Sequence, residues 1–322
     1  MWGDKRYHSW NYHLRKTFGT KVFKLPLDAG FTCPNRDGTY STEGCIYCSS
    51  RGSGDFAGNV NYSLEKQYLQ TREMMHKKWP DAKYIAYFQA FTNTYASESI
   101  LRELYNTALS FPNVVGISIA TRPDCLPAEV LDLLEELNNK TYLWVELGLQ
   151  TVHDKTASLI NRGHDYRCFI DGLNKLQERN INTCAHVIYG LPGETISDMW
   201  STSKTIATLP LQGIKFHLLH VLKGTPLAKI YQQGGLEFMD FDAYIKLVVD
   251  TLEILPDDMI IHRLTGDGPR DLLLGPMWSQ KKWEILNAID HELLNRSSKQ
   301  GAKRHDFLLH NRIINNTICY KG

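Results

Sequence analysis

A strand, a helix and a second strand follow one another in residues 114–151, which have the sequence VVGISIATRPDCLPAEVLDLLEELNNKTYLWVELGLQT. Residues 114–120 and 143–149 are short, largely apolar runs, as expected for buried strands. Between them, residues 128–137 place leucine and valine at helical spacing. A helical crossover joins parallel strands, so this stretch predicts a βαβ unit of an α/β protein.

The same alternation extends in both directions along the chain. Further strands are predicted at residues 22–27, 84–88, 183–189, 214–219 and 259–263, and further helices at 64–79, 100–109, 169–179, 199–209 and 241–255. About six such units favour a full or partial barrel over two separate domains. After about residue 260 the alternation stops, leaving a helix near 282–294 and a polar tail. We therefore predict an arm (1–17), a core (18–258) and a short α-helical C-terminal extension (259–322).

Composition excludes several classes of protein. The chain has 322 residues, with 36 Lys and Arg against 35 Asp and Glu, for a formal net charge of +1. This balance excludes a highly charged nucleic-acid coat and an acidic disordered chain, but not local basic patches. The N-terminus has no apolar signal segment, and no apolar run approaches the roughly 18 residues that span a bilayer. We expect a cytoplasmic protein with no membrane partner and with reduced thiols.

Unusual residues follow the predicted strands. Cysteines follow the first strand, Gln89 the second, Thr121 the third, Gln150 the fourth, and a Gly-Leu-Pro-Gly-Glu loop (190–194) the fifth. The carboxyl ends of parallel strands meet at one rim of a barrel, where such folds carry their functional groups. The sequence therefore predicts one functional site at this rim.

Three of the seven cysteines form a cluster. Cys33, Cys45 and Cys48 have the spacing C-x11-C-x2-C on a loop rich in Gly, Pro and Asn. Three thiolates suit a [4Fe–4S] cluster with one open iron, or a zinc ion completed by His or water. Burial as small apolar residues is the alternative. The other four cysteines are isolated in the sequence, which predicts packing roles for Cys125, Cys168, Cys184 and Cys319. Of these, Cys125 lies nearest the predicted rim.

This cysteine loop, placed after the first strand of a βα array and with Tyr47 before the last cysteine, resembles the radical S-adenosylmethionine (SAM) superfamily. The long x11 spacing is similar to the branch that includes the Elongator catalytic subunit and the bacterial YhcC-type proteins. Further matching segments are TRPD (121–124), VELGLQT (145–151), VIYGLPGET (187–195) and, for the YhcC-type branch, RLTGDGPRD (263–271). The resemblance implies a partial (β/α)6 TIM-like barrel.

The resemblance also implies the cofactors. A [4Fe–4S] cluster on Cys33, Cys45 and Cys48 would chelate SAM through its open iron. Reductive cleavage of SAM would then give a 5′-deoxyadenosyl radical that abstracts hydrogen from an unactivated C–H bond. The cofactors supply this chemistry, while the protein orients them and excludes quenchers.

Several residues match cofactor-binding positions of the family. Tyr47 is expected near the adenine, although a shielding role is the alternative. Gln89 opens the segment that replaces the family's Gly-Gly-Glu loop, whose backbone meets the SAM amino group. Gln150 and Arg162 match a pair that holds the ribose and the carboxylate, and a guanidinium suits a carboxylate. Further candidates are Ser118 and Thr121 for the ribose, Glu146, which shares a strand face with Gln150, and His186, for which a core role is the alternative.

Candidate substrate-handling residues lie in the last third of the chain. His217 and His220 are three apart, so on one strand at most one of them enters the lumen. His262, Arg263 and Asp267 belong to a segment of mixed charges with Gly and Pro, which predicts contact with substrate or SAM. A capped turn is the alternative.

Two basic segments are candidates for binding nucleic acid. The N-terminal one interleaves basic with aromatic residues: Lys5, Arg6, Arg15, Lys16, Lys21 and Lys24 with Trp2, Tyr7, Trp10, Tyr12 and Phe18. Basic groups track phosphates and aromatic rings stack unpaired bases, as at a tRNA loop. The tail at 296–304 adds Arg296, Lys299, Lys303 and Arg304. A packed arm that covers the open side of the barrel is the alternative.

Elongator-like relatives act at C5 of the wobble uridine of tRNA. Because the chain ends at Gly322, we expect no acetyltransferase domain, which leaves radical remodelling of an existing C5 substituent without acetyl-CoA. The resemblance implies flavodoxin or ferredoxin as the electron donor. A radical SAM enzyme for a small molecule or a protein side chain, and a non-catalytic metal-binding RNA module, are the alternatives.

Overall fold

A computed structural model describes residues 1–76 and 78–310. In chain order its strands are β1 Val22–Leu27, β2 Lys83–Phe88, β3 Val114–Thr121, β4 Tyr142–Gln150, β5 Thr183–Tyr189, β6 Gly213–Leu218, β7 Val221–Leu222, β8 Ile260–Arg263 and β9 Leu273–Gly275. Its helices are α1 Trp10–Phe18, α2 Leu64–His76, α3 Glu98–Leu109, α4 Ala128–Lys140, α5 Asp154–Leu159, α6 Tyr166–Gln177, α7 Ile196–Ile206, α8 Pro226–Gln232, α9 Phe241–Ile254 and α10 Lys282–Asn295.

Parallel pairing joins the main strands in the order β1-β2-β3-β4-β5-β6-β8. β1 and β8 are the two edges of this sheet, so the barrel is open between them. The predicted α/β partial barrel is confirmed, and the seven strands of its sheet lie where the seven strands were predicted. Strand β8 pairs with β6, with Ile260 opposite Gly213. The sheet therefore extends beyond residue 258, the predicted end of the core.

The helices bury their apolar sides against the sheet. Helix α4 buries five residues at helical spacing: Val130, Leu131, Leu133, Leu134 and Leu137. Strand β2 is buried along nearly its whole length, as expected for a parallel sheet with both faces covered. No helix within the described residues is long and apolar enough to cross a membrane.

The N-terminal arm forms α1 and closes the open side of the barrel. Ser9 caps the helix by accepting a hydrogen bond from the Tyr12 N–H, and Gly19 ends it in the left-handed conformation at φ 72°. Ser9 also forms a parallel bridge with Ile261 of β8, while Leu14 packs with Val22 of β1. Helix α1 therefore lies against both edge strands.

Candidate functional site

The loops after the strands enclose a cavity of about 270 Å³ at the carboxyl end of the barrel. Residues from the cysteine loop and from the ends of β2, β3, β4, β6 and β8 line it. Of the predicted site residues it brings together Cys33, Cys45, Tyr47, Cys48, Gln89, Thr121, Glu146, Gln150, Arg162, His186, Arg263 and Asp267. Ser118 and His262 are not among its lining residues.

The cysteine loop is folded back on itself by its own polar groups. The Arg36 guanidinium donates to the carbonyls of Cys48 (3.0 Å) and Ser49 (2.7 Å). The Asn35 amide donates to the Asn161 carbonyl at 2.6 Å and reaches Cys45 Sγ at 3.8 Å. These contacts bring the two ends of the x11 insertion together.

The thiols of this loop share one electrostatic environment. A hydrogen bond with Cys48 lowers the pKa of Cys45 to about 6, against the effect of burial and with help from Arg122. The same hydrogen bond raises the pKa of Cys48, to which burial and the charges of Cys45 and Cys33 contribute. The pair therefore favours one thiolate beside one thiol, and metal binding would release the remaining proton.

In residues 1–76 and 78–310, no three Cys, His, Asp or Glu side chains converge as a metal-binding set. The three cysteines nevertheless line one cavity, and Cys33 lies near enough to influence Cys48. The donor chemistry, three thiolates with no carboxylate, fits an iron–sulfur cluster with one open iron.

Two polar groups of the cavity, each with an atom that makes no hydrogen bond in the described residues, lie near the end of β4. Gln150 adopts a left-handed conformation (φ 59°) that ends the strand, and its buried Oε1 has no hydrogen-bond partner in the described residues. Arg162 is 1% exposed, and its Nε and Nη1 donate to backbone carbonyls of His164, Leu149 and Thr151. Its Nη2 makes no hydrogen bond there but lies 3.8 Å from Asp154 Oδ1, at ion-pair distance. A polar ligand would satisfy both groups.

This geometry limits what Arg162 can do as the predicted carboxylate ligand. Because Nε and Nη1 already bind the backbone, Nη2 alone remains for a ligand in this conformation. A bidentate contact between this guanidinium and a carboxylate therefore does not fit this conformation. Arg162 would contribute a buried positive charge and one nitrogen.

Three other predicted cofactor contacts, Tyr47, Gln89 and Thr121, pack against or hydrogen-bond to neighbouring residues of the fold. Tyr47 packs beside a small apolar cluster that includes Ile160, Leu191 and Leu219. The Gln89 amide donates to the Ser53 carbonyl at 2.6 Å, and Thr121 Oγ1 lies 2.5 Å from the hydroxyl of Thr94. Their roles toward SAM stay predictions.

A buried ionic cluster lies below the cavity, around Glu146. Its carboxylate pairs with Lys24 and with Lys215 (2.6 Å). Neutral groups complete its shell: the Ser118 hydroxyl at 2.6 Å, the His186 ring at 2.6 Å and the Tyr87 hydroxyl at 3.1 Å. Burial would raise the pKa of Glu146, but the two lysines outweigh burial and hold the pKa well below its ordinary value.

The cluster corrects three predicted roles. Glu146 and Ser118 are partners of each other and of the lysines, so Ser118 presents no free group to a ribose and Glu146 presents none to the cofactor. His186 Nε2–H donates to the Glu146 carboxylate, and burial followed by the charge of Lys215 lowers the pKa of His186 to about 4. Burial lowers the pKa of Lys215 to about 8, although Glu146 opposes that shift.

His262 lies away from the cavity. Its ring packs against Trp10, with centroids 4.0 Å apart, and edge-on against Trp144 at 4.4 Å. Its predicted contact with substrate or SAM therefore does not fit, because these rings occupy the amino end of the lumen. Arg263 and Asp267 do line the cavity, and Asp267 pairs with Lys282 at 2.7 Å.

Both His217 and His220 line the cavity, contrary to the expectation that at most one would. Strand β6 ends at Leu218, so the alternation of faces along a strand does not extend to His220. Lys215 and Tyr87 also line the cavity and were not predicted. Lys215 carried a signal, since it is a lone charge in a buried strand and shares a face with His217.

The N-terminal aromatic residues are not displayed for stacking. Tyr7 is buried, Trp2 stacks on His8 with centroids 5.9 Å apart, and Trp10 packs into the barrel. Lys24, predicted as a phosphate contact, points into the lumen toward Glu146. This packing of Tyr7, Trp2 and Trp10 favours the alternative of a packed cover, and an aromatic tRNA interface on the arm stays a prediction.

The basic tail is also largely engaged within the fold. Arg296 pairs with Asp250 (2.5 Å) and Glu253 (3.1 Å), and Lys303 pairs with Glu253 (2.5 Å). Arg304 donates to the Ala207 carbonyl at 2.8 Å. These contacts tie the segment to α9. Of the four isolated cysteines, Cys125 and Cys184 are buried, Cys168 is half-buried, and Cys319 lies outside the described residues.

The chain belongs to the radical SAM superfamily. Residues 35–206 match the family model of that name, and residues 211–295 match the Radical_SAM C-terminal domain. It is similar to the uncharacterized protein YtqA of Bacillus subtilis (59% identity over 298 residues, 92% of each chain). It is also similar to protein YhcC of Escherichia coli (38% over 290 residues, 90% of this chain and 92% of that protein).

Among solved structures, the fold matches the archaeal Elp3 of Methanocaldococcus infernus. The TM-score is 0.66 at 17% identity, and the match covers 87% of this chain and 64% of that chain. At this identity the likeness shows the half-barrel fold.

Proposed function

We propose that the chain is a radical SAM enzyme that holds a [4Fe–4S] cluster on Cys33, Cys45 and Cys48 and cleaves SAM reductively. The observation that carries this proposal is the cavity that the three cysteines share with Gln150 Oε1 and Arg162 Nη2, two atoms that make no hydrogen bond in the described residues. When bound, the cluster and SAM together supply a 5′-deoxyadenosyl radical, which removes hydrogen from an unactivated C–H bond.

The side chains around the cavity would bind and orient the cofactor. Arg162 Nη2 would donate to the SAM carboxylate, and Gln150 Oε1 would accept a hydrogen bond from a ribose hydroxyl. Tyr47, packed on the apolar cluster of Ile160 and Leu191, would keep water from the cysteine side of the cavity. The Arg36 contacts hold the loop that carries the thiols.

As the substrate we propose tRNA, with remodelling of a C5 substituent of the wobble uridine, and flavodoxin or ferredoxin as the electron donor. The similarity to Elongator-type proteins supports this substrate. At the mouth of the cavity, Phe56 lines the wall and is 54% exposed, so an aromatic surface for stacking a base lies at the site itself. The mouth replaces the N-terminal arm as the candidate interface.

The first experiment tests the cofactor assignment. The protein is purified without oxygen, iron and sulfide are counted, and 5′-deoxyadenosine is measured after adding SAM and dithionite. We expect about four irons and sulfides per chain and formation of 5′-deoxyadenosine, both lost in the Cys33→Ala/Cys45→Ala/Cys48→Ala variant. A colourless protein that binds zinc would refute the assignment.

The second experiment tests the substrate. Mass spectrometry compares tRNA nucleosides from a deletion strain, from the strain carrying the wild-type gene and from one carrying Cys45→Ala. We expect one modified uridine to change in the deletion strain and to be restored by the wild-type gene alone. Unchanged nucleosides in all three strains would exclude tRNA and leave a small molecule or a protein as the substrate.

A further inference from the structure

The cavity wall opposite the cysteine loop holds a second set of polar groups. His217, His220 and Arg263 surround Gly266: a Cβ built on Gly266 would lie 3.2 Å from His217 Nδ1, 3.8 Å from His220 Cε1 and 3.9 Å from Arg263 Nη1. The absence of a side chain at Gly266 leaves room between them. The proposed SAM contacts use none of these groups.

These groups lack partners within the fold. His217 Nε2 and His220 Nε2 are buried without a hydrogen bond in residues 1–76 and 78–310. The hydrogen bonds and ion pairs of the described chain likewise include none made by the Arg263 guanidinium. Buried polar atoms left unpaired cost free energy, so a site that keeps two of them beside a half-buried guanidinium is suited to a ligand.

The neighbouring acids do not neutralise this set. Asp267 is paired with Lys282 at 2.7 Å, and Glu146 is shared by Lys24 and Lys215. Burial lowers the pKa of His220 to about 4 and that of His217 well below its ordinary value, so both rings are neutral at pH 7 and can each donate one N–H. One guanidinium with two imidazoles makes a net positive donor site.

We propose that Arg263, His217 and His220 bind an oxyanion carried by the substrate, a carboxylate or a phosphate group. Its assignment to the substrate rests on the proposed function, because SAM has one carboxylate and Arg162 on the cysteine side is its expected partner. The oxyanion would anchor the substrate on the wall facing the SAM site, and Gly266 and Gly268 leave the space it occupies.

The test follows the Hε1 and Cε1 signals of His217 and His220 by NMR in the cluster-free protein. Sodium phosphate and sodium acetate are titrated separately, with chloride holding the ionic strength constant. We expect saturable shifts, and the anion that binds more tightly identifies phosphate or carboxylate as the group. Absence of saturable shifts with both anions would refute the site.

Variants in the same segment supply the control. Arg263→Gln should weaken oxyanion binding by about tenfold or more, since a charge-assisted contact is lost, and Arg263→Lys should fall between it and the wild type. Arg270→Gln, at an exposed position seven residues on, should change the affinity by less than about twofold. Equal affinities in all four proteins would overturn the assignment to Arg263.

SAM binding to the reconstituted holoenzyme separates the two cavity walls. Arg263→Gln should leave the SAM dissociation constant within about twofold of the wild type. If Arg263→Gln instead weakens SAM binding as much as it weakens oxyanion binding, the group bound at this site is the carboxylate of SAM, and the proposal is wrong. A protein that binds the oxyanion through Arg263 but cleaves no SAM would refute the proposed function while keeping the site.

Discussion

The two ends of the barrel lumen are built from the same strands but have opposite character. At the amino end, aromatic rings fill the space, with Trp10 of the arm packed against Trp144 at 5.3 Å and His262 at 4.0 Å. At the carboxyl end, the cysteines and polar groups such as Gln150 and Arg162 line a cavity. Buried atoms without hydrogen bonds occur at both ends, Trp144 Nε1 among the rings and Gln150 Oε1 in the cavity, so the ends differ in their residue chemistry, and the carboxyl end is the proposed binding end.

Strand β4 shows how one segment serves both ends. Its residues at even separation face the lumen. Trp144 packs in the aromatic plug, which is formed by Trp10, Trp144 and His262; Glu146 lies in the buried ionic cluster; and Gln150 lines the cavity. The ionic cluster therefore separates a packed layer from an open one. Substitutions should divide accordingly: at the carboxyl end they should reduce chemistry, and at the amino end and in the cluster they should reduce stability.

The largest effect is expected at the carboxyl end, from Cys45→Ala. Loss of a direct ligand should lower 5′-deoxyadenosine formation by more than the roughly 100-fold that loss of an outer-shell partner costs at metal sites. The free energy of unfolding of the metal-free protein should change by less than about 1 kcal/mol. Iron content, product formation and urea unfolding measure these effects. Cys168→Ala on α6 is the control, and equal activity of the two variants would exclude Cys45 as a ligand.

Fold and site differ in how far sequence could predict them. Strand β5 coincides with its predicted bounds, because an apolar run between turn residues suffices to define a buried parallel strand. Helix α1 was missed, since its basic and aromatic composition favours a surface role until the gap between β1 and β8 is known. Packing across that gap is a tertiary property with no local signal.

Within the site, too, some features could be predicted from the sequence and others could not. The three cysteines could be singled out as a candidate site because they lie close together in sequence, and they do line one cavity, while their role as cluster ligands stays a prediction. The cluster around Glu146 was not, because it joins Lys24, Ser118 and Lys215 from three distant strands. Likewise, His220 enters the cavity because β6 ends at Leu218, a boundary that the sequence pattern placed one residue later.

The second prediction concerns the buried ionic cluster around Glu146, which lies between the two ends of the lumen. Glu146→Gln should lower the free energy of unfolding by about 3–5 kcal/mol, because it leaves Lys24 and Lys215 buried without a counter-charge. Glu136→Gln is a matched control, since Glu136 also pairs with two cations, Arg102 and Lys140, but at the surface. Its cost should be about 1 kcal/mol or less in urea unfolding. A similar loss of unfolding free energy in the two variants would mean that the buried ionic cluster around Glu146 is accessible to water.

The third prediction tests the aromatic plug. Trp10→Ala should cost about 2–3 kcal/mol of unfolding free energy, somewhat less than a fully buried tryptophan, because Trp10 is half-buried. Its SAM affinity should match the wild type, since the cavity lies at the other end. Trp283→Ala, at a residue 76% exposed, should stay within about 0.5 kcal/mol. A loss of SAM affinity in Trp10→Ala would show that the two ends are coupled.

The smallest effect is a pH dependence that arises in the ionic layer. Burial, followed by the charge of Lys215, lowers the pKa of His186 from 6.5 to about 4. Between these values the unfolded chain binds a proton that the folded protein does not, so stability falls as pH falls through this window. Lowering the pH from 7 to 5 should therefore cost about 2 kcal/mol through this residue. In His186→Gln, which keeps a donor for Glu146, urea unfolding at the two pH values should show a difference smaller by that amount. His291→Gln, at an exposed position of α10, is the control, and equal differences in both variants would assign the acid sensitivity to other groups.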